Sequence, residues 1–361
     1  MNAQPAKRLL IMAGGTGGHV FPALATADVL REQGVHIEWL GTEKGIEAKV
    51  VPAANIPLNT IAVTGLRGKG VASLLSAPFN LIRAIWQAHQ VIKRVKPDAV
   101  LGMGGFASGP GGLAAWLHRI PVVIHEQNAL PGMTNRILSQ VAKKVLQAFP
   151  GAFPKLKLEH TIGNPVRGPI LELAEPDIRF KDRDGPIRLL VVGGSLGAQA
   201  INTLLPDVLS KMPVASRPVV WHQTGRTHFD ATVEIYNQHN VEAKVVPFID
   251  KMDEAFAWAD LVLCRSGALT VSELAIAGVG SILVPFPYAV DDHQTANAQF
   301  LVAADAARLV QQSELSSDRL NTLLNELNQR DVLLAMAKKA RSQGQPLAGQ
   351  KLAVACLEVM Q

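Results

Sequence analysis

Arg8-Leu9-Leu10-Ile11-Met12-Ala13-Gly14-Gly15-Thr16-Gly17 is matched, about 180 residues on, by Arg188-Leu189-Leu190-Val191-Val192-Gly193-Gly194-Ser195-Leu196-Gly197. Each stretch is an apolar run of strand length that breaks into glycine. In the first, a helix-period segment follows from Phe21 to Glu32. Further strand-like runs, His36–Leu40, Ala99–Gly102 and Val122–His125, alternate with helical stretches. That alternation is the pattern of an α/β fold with parallel sheets. Strand–glycine–helix units also recur within single sheets. Here, though, the order restarts after a Pro- and charge-rich stretch, Gly163 to Pro186, which predicts two Rossmann-like domains.

The composition agrees. At roughly 150 residues per domain, 361 residues suggest two domains. A chain that is 48% hydrophobic and 18% charged has ample material for packed cores and is not disordered. No apolar stretch reaches the roughly 18 uninterrupted residues of a membrane helix. The run Leu9 to Ala13 is too short for a signal peptide. Cys264 and Cys356 cannot build a disulfide scaffold or a four-ligand zinc site. A soluble, reduced, cytosolic chain is expected. The net charge of +5 is unevenly spread: residues 1–167 carry +10 and residues 168–361 carry −5. A basic half calls for an anionic partner, whether phosphorylated ligand, nucleic acid or anionic lipid.

Four glycine-rich turns expose backbone N–H groups at the positive end of a helix, where anions bind. Gly14-Gly15-Thr16-Gly17-Gly18-His19 is neither a dinucleotide fingerprint, since Val20 stands at its last position, nor a Walker A loop. Gly102-Met103-Gly104-Gly105-Phe106-Ala107 does fit G-x-G-x-x-A, with Glu126 about twenty residues on, and is the argument for a nicotinamide enzyme. The third turn is Gly193 to Gly197. The fourth, Arg265-Ser266-Gly267-Ala268-Leu269-Thr270-Val271-Ser272-Glu273, follows Leu261-Val262-Leu263. Its Ser266 and Thr270 serve equally as helix caps or as part of a diphosphate cradle. In the second reading Glu273 accepts hydrogen bonds from both ribose hydroxyls, because a carboxylate offers two acceptor oxygens. Asp182-Arg183-Asp184 has D-x-D spacing but sits in the charged connector and reads as a solvated loop. No metal constellation stands out.

Gly14 to Ala25 resembles the MurG family, bacterial transferases that add N-acetylglucosamine to the lipid-linked muramyl-pentapeptide precursor of peptidoglycan. The resemblance continues in order through Gly65-Leu66-Arg67-Gly68-Lys69, Gly102 to Pro110, His125-Glu126-Gln127-Asn128 and Gly163-Asn164-Pro165-Val166-Arg167. It passes the third and fourth turns and ends at Asp292-His293-Gln294-Thr295-Ala296-Asn297-Ala298. It implies a GT-B glycosyltransferase fold, two Rossmann-like domains with parallel sheets facing across a cleft. Residues 1–167, completed by a C-terminal helix at about 345–361, would bind acceptor and membrane; residues 168–344 would bind UDP-N-acetylglucosamine.

The implied reaction is an inverting transfer to the C4 hydroxyl of undecaprenyl-diphospho-muramyl-pentapeptide (lipid I), giving lipid II, without cofactor, metal or nucleic acid. The implied place is the cytoplasmic face of the inner membrane, peripherally bound, with cell-wall synthesis proteins as partners. By matching motif, Thr16, Gly17, Gly18, Asn128, Arg167, Ser195, Ile249, Ala268 to Ser272, Glu273 and Gln294 would hold the donor. Ile249 would meet the uracil edge through its backbone. Gly104, Gly105 and Ser108 would hold the acceptor. His19 and Glu126 compete as general base. An imidazole titrating near neutrality suits removal of the hydroxyl proton, and a helix N-terminus disfavours its charged form.

Phe79, Ile82, Ile85 and Trp86 fall at helical spacing, which fits a core face. Yet Leu74-Leu75 and Leu81 widen the apolar surface beyond one stripe, with Lys69, Arg83, Lys93, Arg94 and Lys96 nearby, which suits docking of Leu75, Phe79, Ile82 and Trp86 to anionic lipid. Leu196, Phe106 and Gly280 depart from the residues usual in the family at their positions. The rival readings are another GT-B UDP-sugar enzyme, a lipid glycosyltransferase or an epimerase, and a nicotinamide oxidoreductase.

Overall fold

A computed structural model describes residues 6–63, 71–155, 160–194 and 196–360, except the side chains of 71–76 and 290. Gly65 to Lys69, Ser195 and the side chain of Leu75 therefore lie outside the described residues. The chain divides into two compact units, Met1–Arg167 with Pro346–Gln361, and Gly168–Gln345.

The first unit runs β1 (Arg8–Ala13), α1 (Gly17–Glu32), β2 (His36–Gly41), α2 (Glu47–Ala53) and β3 (Leu58–Thr60). It continues with α3 (Val71–Val95), β4 (Ala99–Gly104), α4 (Ser108–Leu117), β5 (Val122–Glu126), α5 (Met133–Leu138) and β6 (Lys144–Gln147). All six strands are parallel, in the order β3-β2-β1-β4-β5-β6. A parallel sheet is covered on both faces, and its central strands β1, β4 and β5 are accordingly buried along most of their length. In β1, Leu9, Ile11 and Ala13 pack toward one layer with Val20, Ala23 and Ala27 of α1. Leu10 and Met12 pack toward the other, with Ala84 and Ala88 of α3 and Ala114 of α4.

The second unit contains α6 (Gly168–Leu171), α7 (Pro176–Phe180), β7 (Arg188–Val192), α8 (Gln199–Lys211), β8 (Val219–Gln223) and α9 (Phe229–Gln238). Then come β9 (Lys244–Val246), α10 (Met252–Trp258), β10 (Leu261–Cys264), α11 (Ala268–Ala277), β11 (Gly280–Leu283) and α12 (His293–Val302). It closes with β12 (Ala307–Leu309), α13 (Ser317–Glu326) and α14 (Arg330–Ser342). Its sheet is also parallel, ordered β12-β11-β10-β7-β8-β9. Asp260 is fully buried ahead of β10, paired with Arg183 and accepting from the Arg188 N–H at 2.9 Å. The middle residue of Asp182-Arg183-Asp184 thus turns inward while both aspartates stay exposed, the solvated loop of the simpler reading.

A last helix, α15 (Ala348–Val359), belongs to the first unit, where Leu352, Ala353 and Cys356 join the layer around α1.

In both sheets the strand order reverses at one place, between β1 and β4 and between β7 and β10. Ligands of open parallel sheets bind beyond the carboxyl ends of the strands at that switch point. All four glycine turns leave these four strands, two at each switch.

Helix α3 does not bury the large apolar residues of its stripe. Its buried face is Ala84, Ala88, Val91, Ile92 and Val95, whereas Phe79, Ile82 and Trp86 are 76%, 66% and 61% exposed. The small alanines let α3 pack closely beside α4, and the large residues are left outside.

Candidate active site

In the first unit, α1 starts at Gly17, four residues before the apolar periodicity. Gly17 and Gly18 already lie in the first turn, whose N–H groups have no partner inside the helix. His19 is the third helical residue. Its Nδ1 stands 3.3 Å from the Gly14 carbonyl oxygen and 3.4 Å from Thr16 Oγ1. The second turn closes on the first: Gly105, at φ +88°, leaves no room for a Cβ against the Gly14 carbonyl. A Cβ on Gly104 would come within 3.0 Å of His19 Nε2. Gly104 and Gly105 are thus required by turn-to-turn contact, without a dinucleotide.

Ser108 is fully buried, its hydroxyl 2.7 Å from the carbonyl oxygens of both Met12 and Gly104. It ties β1 to the second turn and does not present its side chain to a ligand. Glu126 is 2% exposed and surrounded by donors. Oε1 accepts from Asn128 N–H and Nδ2 at 2.9 and 3.2 Å; Oε2 accepts from Gly132 N–H and Asn135 Nδ2 at 3.1 and 2.9 Å. Four donors on one buried carboxylate make it the organiser of the loop that places Asn128. Of the two candidate bases, His19 is half-buried at the first turn, whereas Glu126 is closed off by its four donors. Arg167 lies over the Phe21 ring at 5.8 Å, beside the first turn.

In the second unit, α11 begins with Gly267 as its N-cap, and its first backbone bond runs from Val271 N–H to the Gly267 carbonyl at 3.0 Å. The amides of Leu269 and Thr270 precede that bond and point out of the helix end. Val271 itself is fully buried, its N–H spent on Gly267. Ser266 Oγ is buried without a partner, so the capping reading does not hold for it. Glu273 is 5% exposed in the second turn of α11. Arg265 turns away, donating to the Val284 and Pro285 carbonyls at 3.2 and 3.0 Å and to Gln312. Gln294 Oε1 accepts from the Phe286 N–H at 2.9 Å, which leaves its amide nitrogen as a donor. Ile249 is buried three residues past β9, and neither its N–H nor its carbonyl takes a backbone partner among the described residues.

Two organising residues escaped pattern reading. Gln223 joins the third turn to the Ile249 segment: Oε1 accepts from Gly194 N–H at 3.1 Å, and Nε2 donates to the Gly194 and Pro247 carbonyls. Glu47 supports the first turn from below, its Oε2 accepting from Gly15 N–H at 3.0 Å. A buried amide or carboxylate at a strand or helix end has no periodic signature. Its role is visible only when its partners are.

Two histidines hold these frames in the neutral form. His125 donates from Nε2 to the Gly163 carbonyl at 2.9 Å, and burial outweighs that bond to bring its pKa down to about 4. His222 sits between Tyr236 Oη and Asn202 Oδ1, and burial brings it to about 3. Unfolded, each would titrate at its ordinary value near 6.5. Both depressed values favour the neutral form in the fold, so their stabilisation is complete above pH 6.5 and is lost progressively below it. Urea unfolding between pH 6.5 and 5 should show stability falling by about 1.4 kcal/mol per pH unit for each histidine. A flat profile over that range would mean that the folded protein admits the protons.

Sheets of this order, with paired turns at each switch point, form the frame of a GT-B glycosyltransferase, and sequence likeness narrows the class. Residues 9–147 match the glycosyltransferase family 28 N-terminal domain, and residues 188–352 match the family 28 C-terminal domain. Proteins of Marinobacter nauticus and Chromohalobacter salexigens are 52% and 54% identical to it, over 99% of this chain and 99% and 98% of theirs. Both are named UDP-N-acetylglucosamine–N-acetylmuramyl-(pentapeptide) pyrophosphoryl-undecaprenol N-acetylglucosamine transferase. The crystal structure of Acinetobacter baumannii MurG superposes with a TM-score of 0.85 at 44% identity, over 98% of this chain and 99% of that one. The chain belongs to this MurG family of transferases. A UDP-GlcNAc 2-epimerase from Neisseria meningitidis, TM-score 0.66 at 13% identity, shares the fold alone.

Proposed function

We propose that this protein transfers N-acetylglucosamine from UDP-N-acetylglucosamine to the C4 hydroxyl of the muramyl sugar of lipid I, with inversion, to give lipid II. The carrying observation is identity above one half, over nearly the whole chain, to proteins named for that transfer. In the second unit, Ile249 reads the uracil through its backbone, the amides at the start of α11 meet the diphosphate, and Glu273 holds the ribose. Gln294 donates to a sugar hydroxyl. In the first unit, His19 takes the proton of the acceptor hydroxyl as its oxygen attacks the anomeric carbon and the bond to UDP breaks. The charge that develops on the departing diphosphate is met by fixed N–H dipoles, which need no reorganisation as the reaction proceeds. Labelled sugar should pass from UDP-N-acetylglucosamine to a short-chain analogue of lipid I and yield a β-1,4-linked disaccharide. No transfer to that acceptor, with transfer to another lipid or epimerisation instead, would overturn the reading.

The acceptor is a membrane lipid, yet among the described residues no helix is long and apolar enough to cross a bilayer. Docking falls to the exposed face of the first unit. Phe79, Leu81, Ile82 and Trp86 of α3 are joined there by Trp116 and Leu117 at the end of α4 and by Met133 and Ile137 of α5. The α3–α4 and α4–α5 contacts make this one continuous layer. Arg83 and Lys93 of α3, Arg119 just past α4 and Arg136 of α5 are exposed as well. Apolar insertion and attraction of basic residues to anionic headgroups act together on such a surface, the second contributing about 1 kcal/mol per residue. The double variant Ile82→Glu, Trp86→Glu should bind vesicles containing anionic lipid at least tenfold more weakly, and binding of the unaltered protein should fall with salt. Unchanged partitioning of the double variant would move the docking face elsewhere.

A further inference from the structure

Glu47 opens α2 with its side chain fully buried, and among the described residues no ion pair offsets its charge. Burying a carboxylate away from a cation is costly unless donors surround it, and three do. Oε1 accepts from Thr42 N–H at 3.0 Å and Thr42 Oγ1 at 2.7 Å; Oε2 accepts from Gly15 N–H at 3.0 Å. Space for the carboxylate comes from neighbours without side chains. A Cβ on Gly14 would lie 2.5 Å from Oε1, and one on Gly45 would overlap the carboxylate.

Gly15 N–H and the Gly14 carbonyl belong to a single peptide group. Glu47 accepts from one end of that peptide, and the His19 ring meets the other end through Nδ1 at 3.3 Å. We infer that Glu47 is a positioning residue for His19, acting through the Gly14–Gly15 peptide to hold the ring in its Nδ1–H form. A carbonyl oxygen can only accept, so this contact is a hydrogen bond only when Nδ1 carries the proton. The basic lone pair is then on Nε2, along the edge where Gly104 has no side chain. A carboxylate pulling on the N–H makes the carbonyl of the same peptide a better acceptor, because linked hydrogen bonds polarise one another. The inference rests on the reading of His19 as the base.

Glu47→Gln separates this role from simple packing. Glutamine has nearly the same shape but one acceptor oxygen and an NH2 group. The Thr42 hydroxyl can turn to accept, whereas the two backbone N–H groups cannot, so one of them loses its partner. The full chain labelled with 15N-histidine reports the His19 tautomer directly, with His19→Ala assigning the signal. The unaltered protein should show Nδ1–H, and Glu47→Gln should show a mixture. Turnover should fall roughly 10- to 50-fold with KM for UDP-N-acetylglucosamine within about twofold. Thr42→Val, which removes one donor from the same buried site but keeps the Gly15 bond, should leave the tautomer unmoved. If Glu47→Gln does not fold, Glu47→Asp withdraws the carboxylate by one methylene and gives the same readout. An unmoved tautomer in the folded variant overturns the inference. A moved tautomer with unchanged turnover overturns the assignment of His19 as base.

Discussion

His19→Ala should lower turnover on a lipid I analogue by roughly 10²–10⁴-fold, the usual contribution of a positioned general base, while the affinity for UDP-N-acetylglucosamine changes by less than about twofold. The acceptor hydroxyl is a weak acid and must lose its proton as it attacks, and in the proposed mechanism the imidazole in the first turn receives it. Because the ring is only partly buried and its Nδ1 contacts lie within its own turn, its removal should leave the fold in place. The loss should therefore fall on kcat and leave donor binding to the second unit intact. The measurement is steady-state transfer at saturating donor, with UDP binding followed separately by calorimetry. Near-normal turnover in the variant would remove His19 from the chemical step. Glu126→Gln offers the contrast. With four donors already on its carboxylate, that change should disturb the Asn128 loop and raise KM rather than abolish proton transfer.

The second large effect is expected at Glu273. If this nearly buried carboxylate holds the ribose diol, Glu273→Ala removes two hydrogen bonds to a charged acceptor, each worth about 1.5–3 kcal/mol. KM for UDP-N-acetylglucosamine should rise by at least roughly 10²-fold. A sharper readout comes from the 2′-deoxy analogue of the donor. The unaltered protein should discriminate against it, because the analogue leaves one carboxylate lone pair unmatched. Glu273→Ala should handle both donors alike. Discrimination that persists in the variant would place the ribose on another residue, and a loss of the folded state, seen by circular dichroism, is controlled by Glu273→Gln.

The residues behind both predictions are marked in the linear chain. Glu273 stands out in the linear chain, because a carboxylate one turn beyond a small-residue helix start, after an apolar strand, is a pattern of spacing. His19 stands out for the same reason, at the end of a glycine turn. Glu47 and Gln223 do not. Each acts on groups distant in the chain, Gly15 from position 47 and both Gly194 and Pro247 from position 223, and nothing local marks them. Ser108 shows the converse: its motif position suggested a ligand contact, but its hydroxyl lies buried between two backbone carbonyls.

Local order along the chain was sufficient for the two parallel-sheet units and the four turns, since strand and helix periodicity and glycine's backbone freedom are properties of neighbouring residues. Whether a face is covered is a property of what packs on it. Helical spacing left Phe79, Ile82 and Trp86 open to two readings, a core face or a lipid-docking surface. The structure buries Ala84 and Ala88 instead and leaves the large side chains at the surface, because small residues permit the close approach of two helices. The support beneath the first turn likewise depends on a carboxylate brought from 32 residues away, a distance over which sequence pattern carries no record of contact.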